Sequence, residues 1–249
     1  MRRFLVCAVL VICGAGAQTA FAQGRTDTAF VSVNVGTQLN TQRLSQTITL
    51  EKHSEPAPVT ATMAEKGVPF FDVGLTLRII GNLGASVALS YLSDTGAADV
   101  SAEIPHPFYL DRPRPIQGQA PGVLHKEMVF HTNAAYVIPS ESITLVLSGG
   151  LSFFRADQDF VTDIAFTESY PYDEAKFSSA TLTRASARKT GYNAAADVTW
   201  KVGTSWGVGG VIRFSRAKAP FTSGPTGTTK FGTFTLGGLQ AGGGLRLLF

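Results

Sequence analysis

The sequence predicts an all-β fold, an eight-stranded antiparallel up-and-down transmembrane β-barrel with long extracellular loops extended as rim hairpins. Three observations predict it. Eight segments alternate apolar and polar residues with period two, the signature of a strand with two different faces. The connections between them alternate between short and long. The apolar face carries aromatic residues at both ends and aliphatic ones between, as a wall facing lipid requires.

The strands are expected at Ala29–Gln38, Val68–Ile80, Leu83–Ser93, Leu124–Ile138, Ser142–Ala156, Thr190–Lys201, Ser205–Ala217 and Thr233–Phe249. Each meets or exceeds the roughly 9–11 residues that a tilted strand needs to cross the hydrocarbon core. Gly81-Asn82, Pro139-Ser140-Glu141 and Val202-Gly203-Thr204 are tight turns, which force antiparallel pairing. Leu39–Gly67, Asp94–Val123, Asp157–Lys189 and Lys218–Gly232 are long connections. Short turns on one side and long loops on the other place the short ones in the periplasm. Further alternation inside the loops, at Ser45–Glu51 with Pro58–Met63, Ala98–Ile104, and Asp159–Phe166 with Ser179–Thr183, predicts strands that continue beyond the membrane.

A soluble barrel alternates too, so the content of the faces decides between lipid and water. One face carries residues such as Val31, Val73, Leu89, Leu147, Val198, Ile212 and Leu245. The other carries small or neutral ones, including Ser32, Asn34, Ser90, Asn133, Ser148, Asn193 and Gly244, where a soluble barrel would place Lys and Glu. Small residues suit the crowded interior of a narrow barrel. Tyr136, Trp200, Trp206 and Phe249 fall at the short-turn end, and Phe71, Tyr91, Phe130, Phe153, Tyr192 and Phe214 at the long-loop end.

The N-terminus reads as a cleavable leader, residues 1–22, ahead of a barrel domain over 23–249. Arg2 and Arg3 precede a short apolar run, and Ala20-Phe21-Ala22 offers a small-x-small cleavage site. Both cysteines, Cys7 and Cys13, lie in that leader, so the mature chain is expected to hold neither disulfides nor thiolate metal sites. Losing Arg2 and Arg3 takes the formal charge from +3 to about +1, which gives no electrostatic case for nucleic acid.

The chain ends Gly244-Leu245-Arg246-Leu247-Leu248-Phe249, with Leu245, Leu247 and Phe249 on one face of the last strand. This resembles the C-terminal signal by which outer-membrane proteins are assembled. With the leader and the eight-strand layout, the mature chain resembles the small outer-membrane barrels of OmpA, OmpX and OmpW type, barrel only, without a periplasmic OmpA-like domain. The resemblance implies residence in the outer membrane as a monomer among outer-membrane lipid and lipopolysaccharide, inserted by the barrel assembly machinery. It implies no catalytic residue and no cofactor.

Charged residues assigned to the inner face are Asp72, Arg78, Glu127, Asp197, Lys201, Arg213 and Arg246, with His131 beside them. An isolated buried charge costs several kcal/mol, so these groups are expected to form a paired structural network. Asp197 and Arg213, on adjacent strands around one turn, are the expected contact. In the loops, Phe108, Tyr109, Arg112 and Arg114 lie in a stiff Pro-rich stretch, and Tyr170 and Tyr172 in a similar one. Tyr and Arg on rigid loops make good contacts, either with an extracellular ligand or with one another. Arg112 and Arg114 are also the expected neighbours of lipopolysaccharide headgroups.

Enzyme signatures fail. Asp157-x-Asp159-x-x-x-Asp163 lacks the Gly and the terminal Glu of a calcium loop, and no HExxH, GxSxG, P-loop or zinc spacing occurs. The expected function is therefore non-enzymatic, envelope-structural or adhesion-like through the loops. A narrow channel for small or apolar solutes and an outer-membrane lipid-modifying enzyme are the alternatives.

Overall fold

The structure, a computed structural model, describes residues 28–39, 42–65, 67–223 and 229–249; the leader expected at 1–22 lies outside them. Ten strands occur among the described residues: β1 (Ala29–Gln38), β2 (Gln42–Lys52), β3 (Glu55–Glu65), β4 (Pro69–Ile80), β5 (Leu83–Ile104), β6 (Arg114–Pro139), β7 (Ile143–Glu168), β8 (Ala175–Lys201), β9 (Trp206–Ser223) and β10 (Thr229–Leu248). Eight form the closed ring β1-β4-β5-β6-β7-β8-β9-β10, with every neighbour antiparallel. β1 closes it, pairing Val33 with Val73 on one side and with Leu245 on the other. A closed ring leaves no unpaired edge strand, the condition for β-structure in lipid.

The exterior of this ring is the apolar face read from the sequence. Val33, Leu77, Leu89, Leu147, Val198, Ile212 and Leu245 are exposed, and so are the aromatic residues assigned to the two belts. The terminal Leu247 and Phe249 are also exposed, while Leu248 between them is buried.

Four ring strands run much further than a membrane crossing requires: β5 has 22 residues, β6 26, β7 26 and β8 27. Most of the expected loop length is thus wall. β2 and β3 form the predicted rim hairpin around His53-Ser54, both at positive φ, which suits a two-residue turn between twisted strands. Above the end of β4, β3 takes its place beside β5, pairing Val59 with Ala102 and Met63 with Ala98.

Polarity inverts along the wall. In the ring the outside is apolar and the middle of the inside polar. Above it Asp99, Ser101, Gln117 and Gln119 face out, while Ala57, Val59, Val100, Ile104, Ile116, Val123, Val161 and Ile164 form a buried core. This is the order water demands, since burial of apolar surface stabilises by about 25 cal/mol per Å². β6 accommodates the change with an extra residue where pairing passes from Gly96–Val123 to Ala97–Pro121. Gly122 sits there at φ +77°, open to a residue without Cβ, and the slip moves the inward set from odd to even numbers.

The interior is filled in layers. At the short-turn end Phe30, Val137, Val146 and Leu248 pack together. A polar layer follows. Above it Phe160, Phe221, Phe231 and Phe234 cluster; Phe160 stacks on Phe231 at 4.7 Å between centroids and meets Phe221 edge-on at 5.5 Å. Such ring pairs contribute about 0.5–1.5 kcal/mol beyond the area they bury.

Candidate functional site

Two groups of side chains come together: a buried polar layer within the ring and a cap at the far end of the long strands.

The polar layer corrects one expected pairing. Asp197 and Arg213 do not pair; each finds an opposite charge on another strand. Arg213 Nη1 donates to Asp72 Oδ2 at 2.5 Å, and Arg246 grips Asp197 with Nε at 3.1 Å and Nη2 at 2.7 Å. The physical reason is the curvature of a narrow barrel: inward side chains from opposite walls meet, so β9 reaches β4 rather than its neighbour. Asn34 links the two pairs, accepting from Arg246 at 2.6 Å and donating to Asp72 at 2.9 Å. Two carboxylates and two guanidiniums thus balance in one hydrogen-bonded chain, the arrangement that makes buried charge tolerable, with Arg213 Nε its one guanidinium nitrogen buried without a partner among the described residues.

His131 joins through serines. Ser90 Oγ donates to Asp72 at 2.8 Å and accepts from Arg213 at 2.7 Å, leaving its contact with His131 Nε2 at 3.3 Å to be one in which the ring donates. His131 Nδ1 then accepts from Ser152 Oγ at 2.8 Å, and Asn193 Nδ2 donates to Ser152 at 2.9 Å and to Asn133 at 2.8 Å. Ser–His–Asp chemistry is present in composition, but Ser90, His131 and Asp72 are all buried, which leaves a substrate no approach.

Glu127 lies higher, in a cluster the sequence reading missed. Its carboxylate accepts from the backbone N–H of Gly237 at 3.2 and 3.3 Å and meets His125 Nε2 at 3.2 Å; His125 Nδ1 is 2.5 Å from Gln158 Oε1. Gly237 has φ +81°, and a Cβ there would stand 2.5 Å from the Ser215 carbonyl oxygen. The alternation of His125 with Glu127 was the one available signal.

Arg78 stands at the edge of the ring. Arg78 is half-buried at the short turn, where it donates to the Gly81 carbonyl and to Asn82 Oδ1. Lys201 is half-buried at the end of β8, its backbone N–H donating to Ser142 O at 2.9 Å.

At the cap, the tips between β5 and β6 and between β7 and β8 clasp each other. Arg114 is buried; it donates to Pro105 O at 2.7 Å and Tyr172 O at 2.9 Å and pairs with Glu168 at 2.7 Å. It is a clamp, not a surface contact. Arg112 pairs with Asp173 at 3.1 Å and lies 5.5 Å from the Tyr109 ring centroid. Phe108 meets Tyr172 edge-on at 5.4 Å, and Tyr172 meets Tyr170 at 6.2 Å. Both arginines expected at lipid headgroups are thus engaged within the cap.

The β2–β3 hairpin braces the same tip. Lys52 pairs with Asp163 at 2.9 Å, and that hydrogen bond holds the Asp163 carboxyl below the usual aspartate value. His53 reaches Glu168 at 3.1 Å. Asp159 takes a two-pronged contact from Arg184 at 2.8 and 3.1 Å, which raises the already basic guanidinium. The three aspartates read as an incomplete calcium loop are instead shared among Lys52, Arg184 and the Ser186 hydroxyl, which donates to Asp157 at 2.6 Å.

No protein-family model matches the sequence, and no curated protein matches it. Solved outer-membrane proteins do match the fold. OprG from Pseudomonas aeruginosa is similar over 90% of this chain and 96% of its own, at 8% identity and a TM-score of 0.50. Neisserial surface protein A is similar over 89% and 97% at 12% identity and a TM-score of 0.42. Ail of Yersinia pestis is similar over 89% and 99% at 10% identity and a TM-score of 0.39. The fold is that of the small outer-membrane β-barrels. The closed ring, its apolar exterior and its aromatic belts make this chain an outer-membrane protein.

Proposed function

We propose that this barrel is a non-enzymatic surface-interaction protein: the ring anchors it in the envelope, and the cap presents an adhesion-like contact surface. The observation that carries the reading is the exposure of large apolar side chains on a tip that is itself clamped. Phe108 is 71% exposed, Leu110 80% and Tyr170 85%, while buried Arg114 and the Arg112–Asp173 pair fix the backbone beneath them. Aromatic residues held this way give contact area at little further entropic cost.

Bacteria displaying the protein are expected to adhere to cultured epithelial cells, and the triple variant Phe108→Ser, Leu110→Ser, Tyr170→Ser to adhere at least about tenfold less, since loss of even one hot-spot residue would cost that much. Migration on unheated gels would show equal amounts of folded barrel. Equal adherence of the variant would overturn the reading.

The packed lumen supports a non-conducting wall over the channel alternative. Phe30, Val137, Val146 and Leu248 close one end and the apolar core the other. Purified protein in planar bilayers is therefore expected to show no discrete conductance steps; reproducible steps would favour the channel.

A further inference from the structure

The outer surface of β7 and β8 holds an electrostatic arrangement that the wall alone does not explain. Arg155 and Arg188 are directly opposite each other in the β7–β8 ladder, and both are exposed. Like charges in that position repel and destabilise the pair. Among the described residues neither has an ion pair, although the nearby Asp157 is turned to Ser186. Lys189 adds a third cation. It occupies the inward register opposite buried Phe154 yet is exposed, where β8–β9 pairing lapses between Ser186–Thr222 and Tyr192–Arg216.

The position of these cations matters as much as their number. Two residue pairs nearer the short-turn end, the same face carries Leu89, Phe130, Phe153 and Thr190 in register; Phe130 and Phe153 belong to the aromatic belt. Arg155, Arg188, Lys189, Phe130 and Phe153 line one groove of about 550 Å³, basic at its upper end and apolar at its lower. A ligand that fits both ends carries multiple negative charges above hydrocarbon chains.

We propose that this groove binds a phosphorylated glycolipid of the outer leaflet, its phosphate between Arg155 and Arg188 and its acyl chains along Leu89, Phe130 and Phe153. Guanidinium suits phosphate because it offers paired donors in a planar fork. The bound phosphate would convert a repulsive cross-strand pair into a bridged one. The site lies on the wall, away from the cap, and does not depend on the proposed adhesion.

Titration of the detergent-solubilised full protein with bis-phosphorylated lipid A, followed by native mass spectrometry, tests this. Wild-type protein should bind it, whereas Arg155→Gln/Arg188→Gln should bind about tenfold or more weakly. Arg112→Gln, at the cap, should match wild type. Lipid A stripped of phosphate should bind wild type as weakly as the double variant binds the intact lipid, and inorganic phosphate should not compete. Without lipid, the double variant should unfold no earlier than wild type, since it relieves a repulsion. Equal binding by the double variant, equal binding of the stripped lipid, or full competition by inorganic phosphate would each overturn the proposal.

Discussion

Arg213→Ala is expected to lower the unfolding free energy of the purified barrel by about 3–5 kcal/mol, because it strands Asp72 as an unpaired charge in a sealed interior. Asp72 has no accessible surface, and Arg213 supplies both its ion pair and a hydrogen bond to the Ser90 that also serves it. The cost should come chiefly from the orphaned carboxylate and not from lost packing. The double variant Asp72→Asn/Arg213→Gln should therefore recover at least half of it, a non-additivity typical of residues in contact. Urea unfolding in detergent measures both. An unchanged midpoint for Arg213→Ala would mean that the polar layer does not hold the ring together.

Phe160→Ala should have an effect of similar size, about 3–5 kcal/mol, but in a different part of the molecule. Phe160 is the centre of the aromatic cluster, touching Phe221, Phe231 and Phe234. Its removal leaves a cavity in the segment above the membrane, where the wall is held by its own apolar core. The expected result is partial: added protease cuts the upper strands of displayed protein while the membrane ring persists as a folded band. Phe160→Leu, which refills much of the volume, should resist cleavage. If the alanine variant is as resistant as wild type, the cluster is not what keeps the upper wall closed.

The eight crossings were legible in the sequence because lipid imposes a strict two-residue alternation, and β1 falls at Ala29–Gln38 as that alternation predicts. The strand ends were less legible. β6 begins at Arg114 rather than at Leu124, because its inward and outward faces exchange chemistry above the membrane and Gly122 shifts the phase. An alternation that reverses meaning and slips by one residue looks like a loop when scanned with one rule. The upper strands were visible only as fragments such as Ala98–Ile104, each regular within itself.

Side-chain partners were the least legible. The faces of Asp72, Asp197, Arg213 and Arg246 follow from parity, but parity does not say which residues meet across a lumen. Asp72 and Arg213 lie 141 positions apart and on non-neighbouring strands. The cap shows the same limit. Arg112 and Arg114 differ little as sequence, yet one is exposed and the other is buried as a clamp, a distinction set by how two separate tips dock.

The layers that close the interior also isolate it from the ionic medium. Dissolved ions screen charges that they can surround, over a Debye length of about 8 Å at physiological strength, and buried pairs far less. Arg213 and Asp72, paired between the apolar plug and the aromatic cluster, have side chains only 7% and 1% exposed, and Arg246 is 1% exposed. The pairs that hold the wall together are thereby insulated from the swings in salinity that a cell surface meets, while the cations on its outer face are left fully subject to them.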